Sequence, residues 1–160
     1  MGVDIKSFVE VKNEAGKWIR FEEEVFCGCY DVKSNEPFEH RNYSVYGFLA
    51  DVRNYSECKP ISELKGLPED SEYLNEVVDD FWFKSTRRQD IVGDNFGCSW
   101  ILLKELLDFD YEETFLDMRG CENGNLTTYR EHLGHMFFYD LERLKELGDP
   151  EKVRVVFWFN

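Results

Sequence analysis

The run Val153-Arg154-Val155-Val156-Phe157-Trp158-Phe159 holds no glycine, proline or carboxylate, and its β-branched and aromatic side chains suit a pleated strand. Alternation puts Val153, Val155, Phe157 and Phe159 on one face. The other end of the chain carries a matching pattern. In Val3-Asp4-Ile5-Lys6-Ser7-Phe8-Val9-Glu10-Val11, the residues Val3, Ile5, Val9 and Val11 share one face, and Asp4, Lys6, Phe8 and Glu10 the other, as in a half-buried strand. Asn13-Glu14-Ala15-Gly16 supplies turn residues, and Lys17-Trp18-Ile19-Arg20-Phe21 returns as the partner of an antiparallel hairpin. The C-terminal strand is expected to pair with this hairpin, so the sheet closes only when the last residues arrive.

Between the two ends the periodicity turns helical. Asn42 reads as an N-cap ahead of Val45, Tyr46, Leu49 and Val52, with the helix ending near Asn54. A loop punctuated by Pro60, Gly66 and Pro68 follows, then a short helix over Ser71 to Trp82 with Leu74, Val77, Val78 and Phe81 inward. Residues 84 to 98 read as irregular. Ser99 stands as N-cap before a helix of Trp100 to Leu107, and Thr127 to Leu147 is helical with a break at Gly134, stopped by Gly148-Asp149-Pro150. The expected fold is α+β: a small antiparallel sheet from the N-terminal hairpin and the C-terminal strand, packed against three to five helices in one acidic domain of residues 1 to 160. Arg-Asn-Tyr occurs at Arg41 to Tyr43 and again at Arg53 to Tyr55, bracketing one helix rather than marking a repeat.

Composition narrows the function classes. The 160 residues carry 33 acidic against 19 basic side chains, a net charge of −14, which argues against direct binding to nucleic acid or to an anionic membrane surface. An aromatic fraction of 16% is too rich for a disordered acidic tail. The five cysteines Cys27, Cys29, Cys58, Cys98 and Cys121, without a secretory leader, fit reduced thiols in an intracellular protein. No apolar run reaches the roughly 18 residues that a spanning helix needs.

Few constellations of reactive side chains emerge. Cys27-Gly28-Cys29 lacks the two-residue gap of zinc hooks, and no second close pair faces it. His132 and His135 lie three apart across Gly134 and read as surface or cap residues. No phosphate loop and no Gly-x-Ser-x-Gly elbow occurs. Asp4 sits on a strand beside Lys6, where a salt bridge is the expected role. Against an acidic background the arginines Arg41, Arg53, Arg87 and Arg88 are the candidates for holding an anion. Arg41 precedes a helix, so its guanidinium and the first backbone N–H groups would converge on a phosphate, with Tyr43 or Trp100 stacking on a base. The alternative is an ion pair of Arg41 with Asp51 or Glu39.

Five stretches together resemble a family of small uncharacterised proteins encoded by bacteriophages and prophages. They are Met1 to Lys6 with Phe8-Val9-Glu10, Arg41 to Asn54, Gly66-Leu67-Pro68, Ser99-Trp100 with Glu105-Leu106, and Val153 to Phe159. In that family the start often reads Gly-Cys-Asp-Ile-His, and a histidine commonly precedes the Ser-Trp pair; here Lys6 and the Gly97-Cys98 region stand in those places. The resemblance carries over to Asp4, Arg41, Asn42, Tyr43, Asp51, Arg53, Asn54, Ser99 and Trp100 as ligand-binding positions. It implies an accessory protein of the bacterial cytoplasm that acts against host defence; the family's histidines suggest a metal or acid/base site, and without them this chain is expected to bind without turnover and to hold no cofactor or metal. The expected partner is a host protein with a basic surface that the acidic face occupies, or else a small nucleotide that the protein sequesters. The enzymatic alternative is a phosphoesterase or nuclease-like hydrolase in which Asp4 and other carboxylates hold Mg²⁺ or Mn²⁺. A third reading is a homo-oligomer joined through the C-terminal strand as a sheet edge.

Overall fold

The computed structural model describes residues 2–79, 81–120 and 122–160. In chain order the strands and helices are β1 (Ile5–Lys12), β2 (Trp18–Phe21), β3 (Phe26–Cys27), β4 (Lys33–Ser34), α1 (Tyr43–Ala50), α2 (Glu72–Asn75), β5 (Val77–Asp79), β6 (Lys84–Thr86), α3 (Arg87–Asp94) and β7 (Phe96–Leu102). They continue as α4 (Leu103–Asp108), β8 (Thr114–Asp117), β9 (Asn125–Thr128), α5 (Tyr129–Leu133), α6 (His135–Lys145) and β10 (Val153–Phe159). The arrangement is α+β, with an antiparallel main sheet ordered β2-β1-β10-β7 and three small two-stranded sheets. Both chain ends meet in it, Ile5 opposite Phe159, and the backbones of Asp4 and Asn160 exchange two further hydrogen bonds.

β10 runs between β1 and β7 and so offers no free edge, which removes the C-terminal strand as an oligomer-forming edge. The sheet is also covered on both faces, not half-buried. On one face Ile5, Val9, Ile101, Val153, Val155, Phe157 and Phe159 meet Tyr46, Phe48 and Leu49 of α1 and Leu133, Phe137, Leu141 and Leu144 of α5 and α6. On the other, Phe8 and Val156 pack with Leu67, Leu74, Tyr73, Ile91, Trp100 and Trp158, so the segment between α1 and β7 forms a second lid.

That segment departs from the sequence reading. The helix expected over Ser71 to Trp82 stops at Asn75, after Ser71 Oγ has accepted from Leu74 N–H at 3.2 Å. Val77 to Asp79 then pairs with Lys84 to Thr86 as a hairpin. The stretch expected to be irregular holds α3, entered through a reciprocal cap: Thr86 Oγ1 accepts from Gln89 N–H, and Gln89 Oε1 accepts from Thr86 N–H. Ser99 to Leu102 are strand, not helix. The Ser99 hydroxyl is no cap but accepts from Lys65 N–H at 2.9 Å, and α4 begins only at Leu103. α1 ends at Ala50, capped by Asp51 in a left-handed conformation, rather than near Asn54. Among the described residues no helix is long and apolar enough to cross a membrane.

Candidate functional site

The positions carried over from the sequence divide between two places. Just before β1, Arg41 grips Asp4 through two parallel bonds, Nε to Oδ1 and Nη2 to Oδ2, each 2.8 Å. Neither Asp51 nor Glu39 is its partner. Gly2 makes room for this pair, since a Cβ there would lie 2.3 Å from Arg41 Nη1. Asn42 caps α1 by accepting from Ser44 N–H at 3.0 Å. The guanidinium and the helix N–H groups are therefore already engaged within the chain and do not converge on an empty phosphate position. Tyr43 Oη accepts from Val3 N–H, and the Tyr43 ring meets Tyr55, whose hydroxyl accepts from Arg53. Asn54 bonds Asp51 Oδ1 and Cys58 O while its own Oδ1 accepts from Ser56 and Cys58. These residues build the corners of α1. A cavity of about 620 Å³ at its C-terminal end is lined by Ala50, Asp51 and the stretch Lys59 to Leu64. Arg87 and Arg88 hold the second lid together: Arg87 stacks on Tyr73, and Arg88 bonds Asn75 Oδ1 and the Leu67 carbonyl.

His132 is neither a surface nor a cap residue; its side chain is fully buried. Its Nε2 lies 3.2 Å from Ser56 Oγ and its Nδ1 3.1 Å from Arg119 Nη2, with Asp117 Oδ2 at 3.8 Å. Serine, histidine and aspartate in that order suggest a nucleophilic triad, and proton accounting rejects it. A guanidinium only donates, so Nδ1 is the acceptor and Nε2 carries the ring proton. Nε2 then donates to Ser56, whose own proton goes to Asn54 Oδ1 at 3.0 Å. Burial, with the Arg119 charge, lowers the His132 pKa to about 4, against a smaller pull from Asp117. The ring is held neutral with no lone pair toward the serine. It pins α5 to the loop after α1.

Trp100 belongs elsewhere, on the second face of the main sheet, with residues that the sequence reading passed over. Across that face Arg154 pairs with Glu10 of β1 and Leu102 of β7, beside the Lys12 and Trp18 pair of β1 and β2. Arg154 is 2% exposed and Glu10 fully buried. Arg154 Nε donates to Glu10 Oε1 at 2.9 Å, Ser71 Oγ donates to Oε2 at 2.8 Å, and Arg154 Nη1 donates to Asp70 Oδ1 at 2.8 Å. The guanidinium lies 4.1 Å from the Trp18 ring and 5.5 Å from that of Trp100. Burial pushes the Glu10 carboxyl above the usual carboxylate range, against the pull of Arg154. Burial works the same way on Asp70 but is outweighed by Arg154, which holds that carboxyl below the usual range. Over this row opens a cleft of about 570 Å³, its walls including Trp18, Leu67, Pro68, Trp100 and Leu102. The sequence signal was a lone cation inside the apolar C-terminal strand, mirrored by a lone acid in Phe8-Val9-Glu10-Val11.

The hairpin of β5 and β6 carries the third feature. Phe81, Trp82 and Phe83 at its tip are 87%, 77% and 74% exposed, although Phe81 was expected to face inward from a helix. Asp80 beside them and Cys121 lie outside the described residues; Cys27, Cys29, Cys58 and Cys98 are free thiols. Among the described residues no three histidine, cysteine or acidic side chains gather closely enough to hold a metal ion, and Asp4 is bound to Arg41. Comparison with known proteins finds no matching family model, no similar curated protein and no similar solved structure.

Proposed function

We propose that this chain is a binding protein that occupies a basic surface of a partner protein and anchors there through the aromatic tip of the β5–β6 hairpin. Taken with the phage-protein resemblance, the proposed partner is a host defence protein and the proposed role inhibition in the bacterial cytoplasm. The observation that supports this reading is the tip itself. Three consecutive aromatic side chains, each more than 70% exposed, stand on a two-stranded projection. Aromatic side chains of this kind dominate the binding energy of protein interfaces when a partner pocket desolvates them. The net charge of −14 over the whole chain supplies steering toward a cationic surface and raises the association rate.

The test is binding to a panel of purified bacterial defence proteins, measured by interferometry with wild type and Trp82→Ala. The expected result is association with a basic member of the panel that slows steeply between about 0.1 M and about 0.5 M salt. Trp82→Ala should weaken it by about tenfold or more, as for a truncated anchor. No association across the panel, or association indifferent to both salt and Trp82, overturns the proposal.

A further inference from the structure

We propose that the cleft over Arg154 binds a small organic anion, a single phosphate or carboxylate head carried on an apolar or ring-shaped body. Arg154 and Lys12 receive the head, and Asp70 is the group it displaces. The volume of about 570 Å³ is that of a small-molecule site. Its chemistry is set by what the indoles already carry. The Trp18 face holds the Arg154 guanidinium at 4.1 Å and the Lys12 ammonium at 5.7 Å, while the Trp100 face holds the Lys65 ammonium at 4.2 Å. A cationic ligand would find those faces occupied. An anion would find Lys12, Lys65 and Arg154 on one cleft, balanced by Glu69, Asp70 and Glu151 on the same walls.

The two carboxylates on Arg154 are not equivalent. Glu10 is fully buried and fixed by Ser71, whereas the Asp70 side chain is 67% exposed and reaches Arg154 from the solvent side. An incoming head would exchange with Asp70 at little conformational cost and form the same charge-assisted bond to Nη1. Of the guanidinium nitrogens, Nε and Nη2 are turned inward to Glu10 Oε1, at 2.9 and 2.8 Å, so Nη1, on Asp70, is the one that faces the cleft. Among the described residues Lys12 Nζ has no carboxylate within ion-pair distance, so its charge is available beside that of Arg154. Lys65 is committed to Glu105 by two contacts, 2.9 and 3.1 Å, and serves the wall. Glu69 and Glu151 line the same cleft and oppose a second negative group, which limits the ligand to one anionic head. Leu67, Pro68 and Leu102 supply the surface for its body.

The experiment is calorimetric titration of the full chain with adenosine monophosphate, benzoate, adenosine and adenosine triphosphate. The expected result is saturable binding of the monophosphate or of benzoate, whichever head the cleft accepts, at least about tenfold tighter than adenosine or the triphosphate. Arg154 variants risk unfolding the sheet, so the diagnostic substitutions are the exposed Lys12→Met and Asp70→Asn. Lys12→Met should weaken binding about tenfold. Asp70→Asn, which removes the internal competitor's charge, should tighten it about threefold, and both variants should keep the wild-type melting temperature to within a few degrees. The proposal is overturned if neither anion saturates at millimolar concentration, if the triphosphate binds as tightly as the monophosphate, or if binding is the same in both variants. The outcome is separable from that for the hairpin tip, because neither substitution touches Phe81, Trp82 or Phe83.

Discussion

His132 and Asp140 are both buried, and acid moves them in opposite senses. Asp140 accepts from Cys27 N–H at 2.9 Å and Phe38 N–H at 2.8 Å, fixing the end of β3 and the Phe38 turn to α6. Burial raises its pKa to about 6 in spite of those bonds; nearby His40 favours the ionised form and Glu39 opposes it. Its folded value exceeds the unfolded value of about 3.9, so its contribution to stability is full below that value and is lost as pH rises toward 6. His132 behaves inversely. Its folded value of about 4 is below the unfolded value near 6.5, so its contribution is full above pH 6.5 and is lost as pH falls toward 4. Between pH 6 and pH 4 the two slopes, each on the order of 1 kcal/mol per unit at most, largely cancel. Asp140→Asn should cost about 1–3 kcal/mol at neutral pH, because an amide turns a donor toward one of two N–H groups. It should also expose the His132 slope. Thermal melts at pH 7, 6, 5 and 4 should diverge on acidification, the variant losing melting temperature faster than wild type; parallel curves would contradict the opposed pair.

β7 shows how a strand can hide in a sequence. Its first residues bend around Gly97, whose φ of +64° lies in the left-handed region, at an irregularity in the pairing with β10 between Phe157 and Phe159. A Cβ at Gly97 would fall 2.8 Å from the ring of Phe159, which is fully buried and cannot retreat. Gly97→Ala combines backbone strain with overpacking and should cost about 1–3 kcal/mol, lowering the melting temperature by about 2–4 °C per kcal/mol. An unchanged melting temperature would mean that the bulge is soft. Beyond it, Trp100 to Leu103 is one apolar run shared by the end of a strand and the start of a helix, and periodicity does not divide such a run. The helix expected over Ser71 to Trp82 failed for the converse reason. Leu74, Val77, Val78 and Phe81 have helical spacing, yet the β-branched Val77 and Val78 join a hairpin that leaves Val77 and Phe81 in solvent. β1, β2 and β10 were legible because β-branched and aromatic side chains crowd them and the turn residues of Asn13 to Gly16 separate the first two. At the candidate sites, Trp100 and the Asp4 salt bridge were visible as residue types. The cleft was not, because Arg154, Glu10 and Trp18 are brought together only by sheet register, and Asp70 by the loop that leads into α2.

The molecule as a whole is organised by β10. It is the strand on which both covered faces depend, since its odd residues enter the core under α1, α5 and α6 and its even residues carry Arg154 and Val156 to the second lid. β1, which opens the chain, has no other route to β7. Removal of residues 153 to 160 therefore strips the main sheet of its centre, leaves Glu10 buried without its cation, and should abolish cooperative folding outright. The β5–β6 tip stands at the other extreme, because Phe81, Trp82 and Phe83 project from the lid with more than 70% of their surface in solvent. Replacing these three by serine should leave the melting temperature within a few degrees of wild type, since exposed positions rarely change stability by more than about 0.5 kcal/mol each. Calorimetry of the two variants checks both statements. Wild type and the tip variant should each unfold in one transition whose calorimetric and van't Hoff enthalpies agree, and the truncated chain should show none. A surviving transition in the truncated chain would place the folding core in the helices; a tip variant that melts much lower would mean that the aromatic residues serve the fold and not a partner.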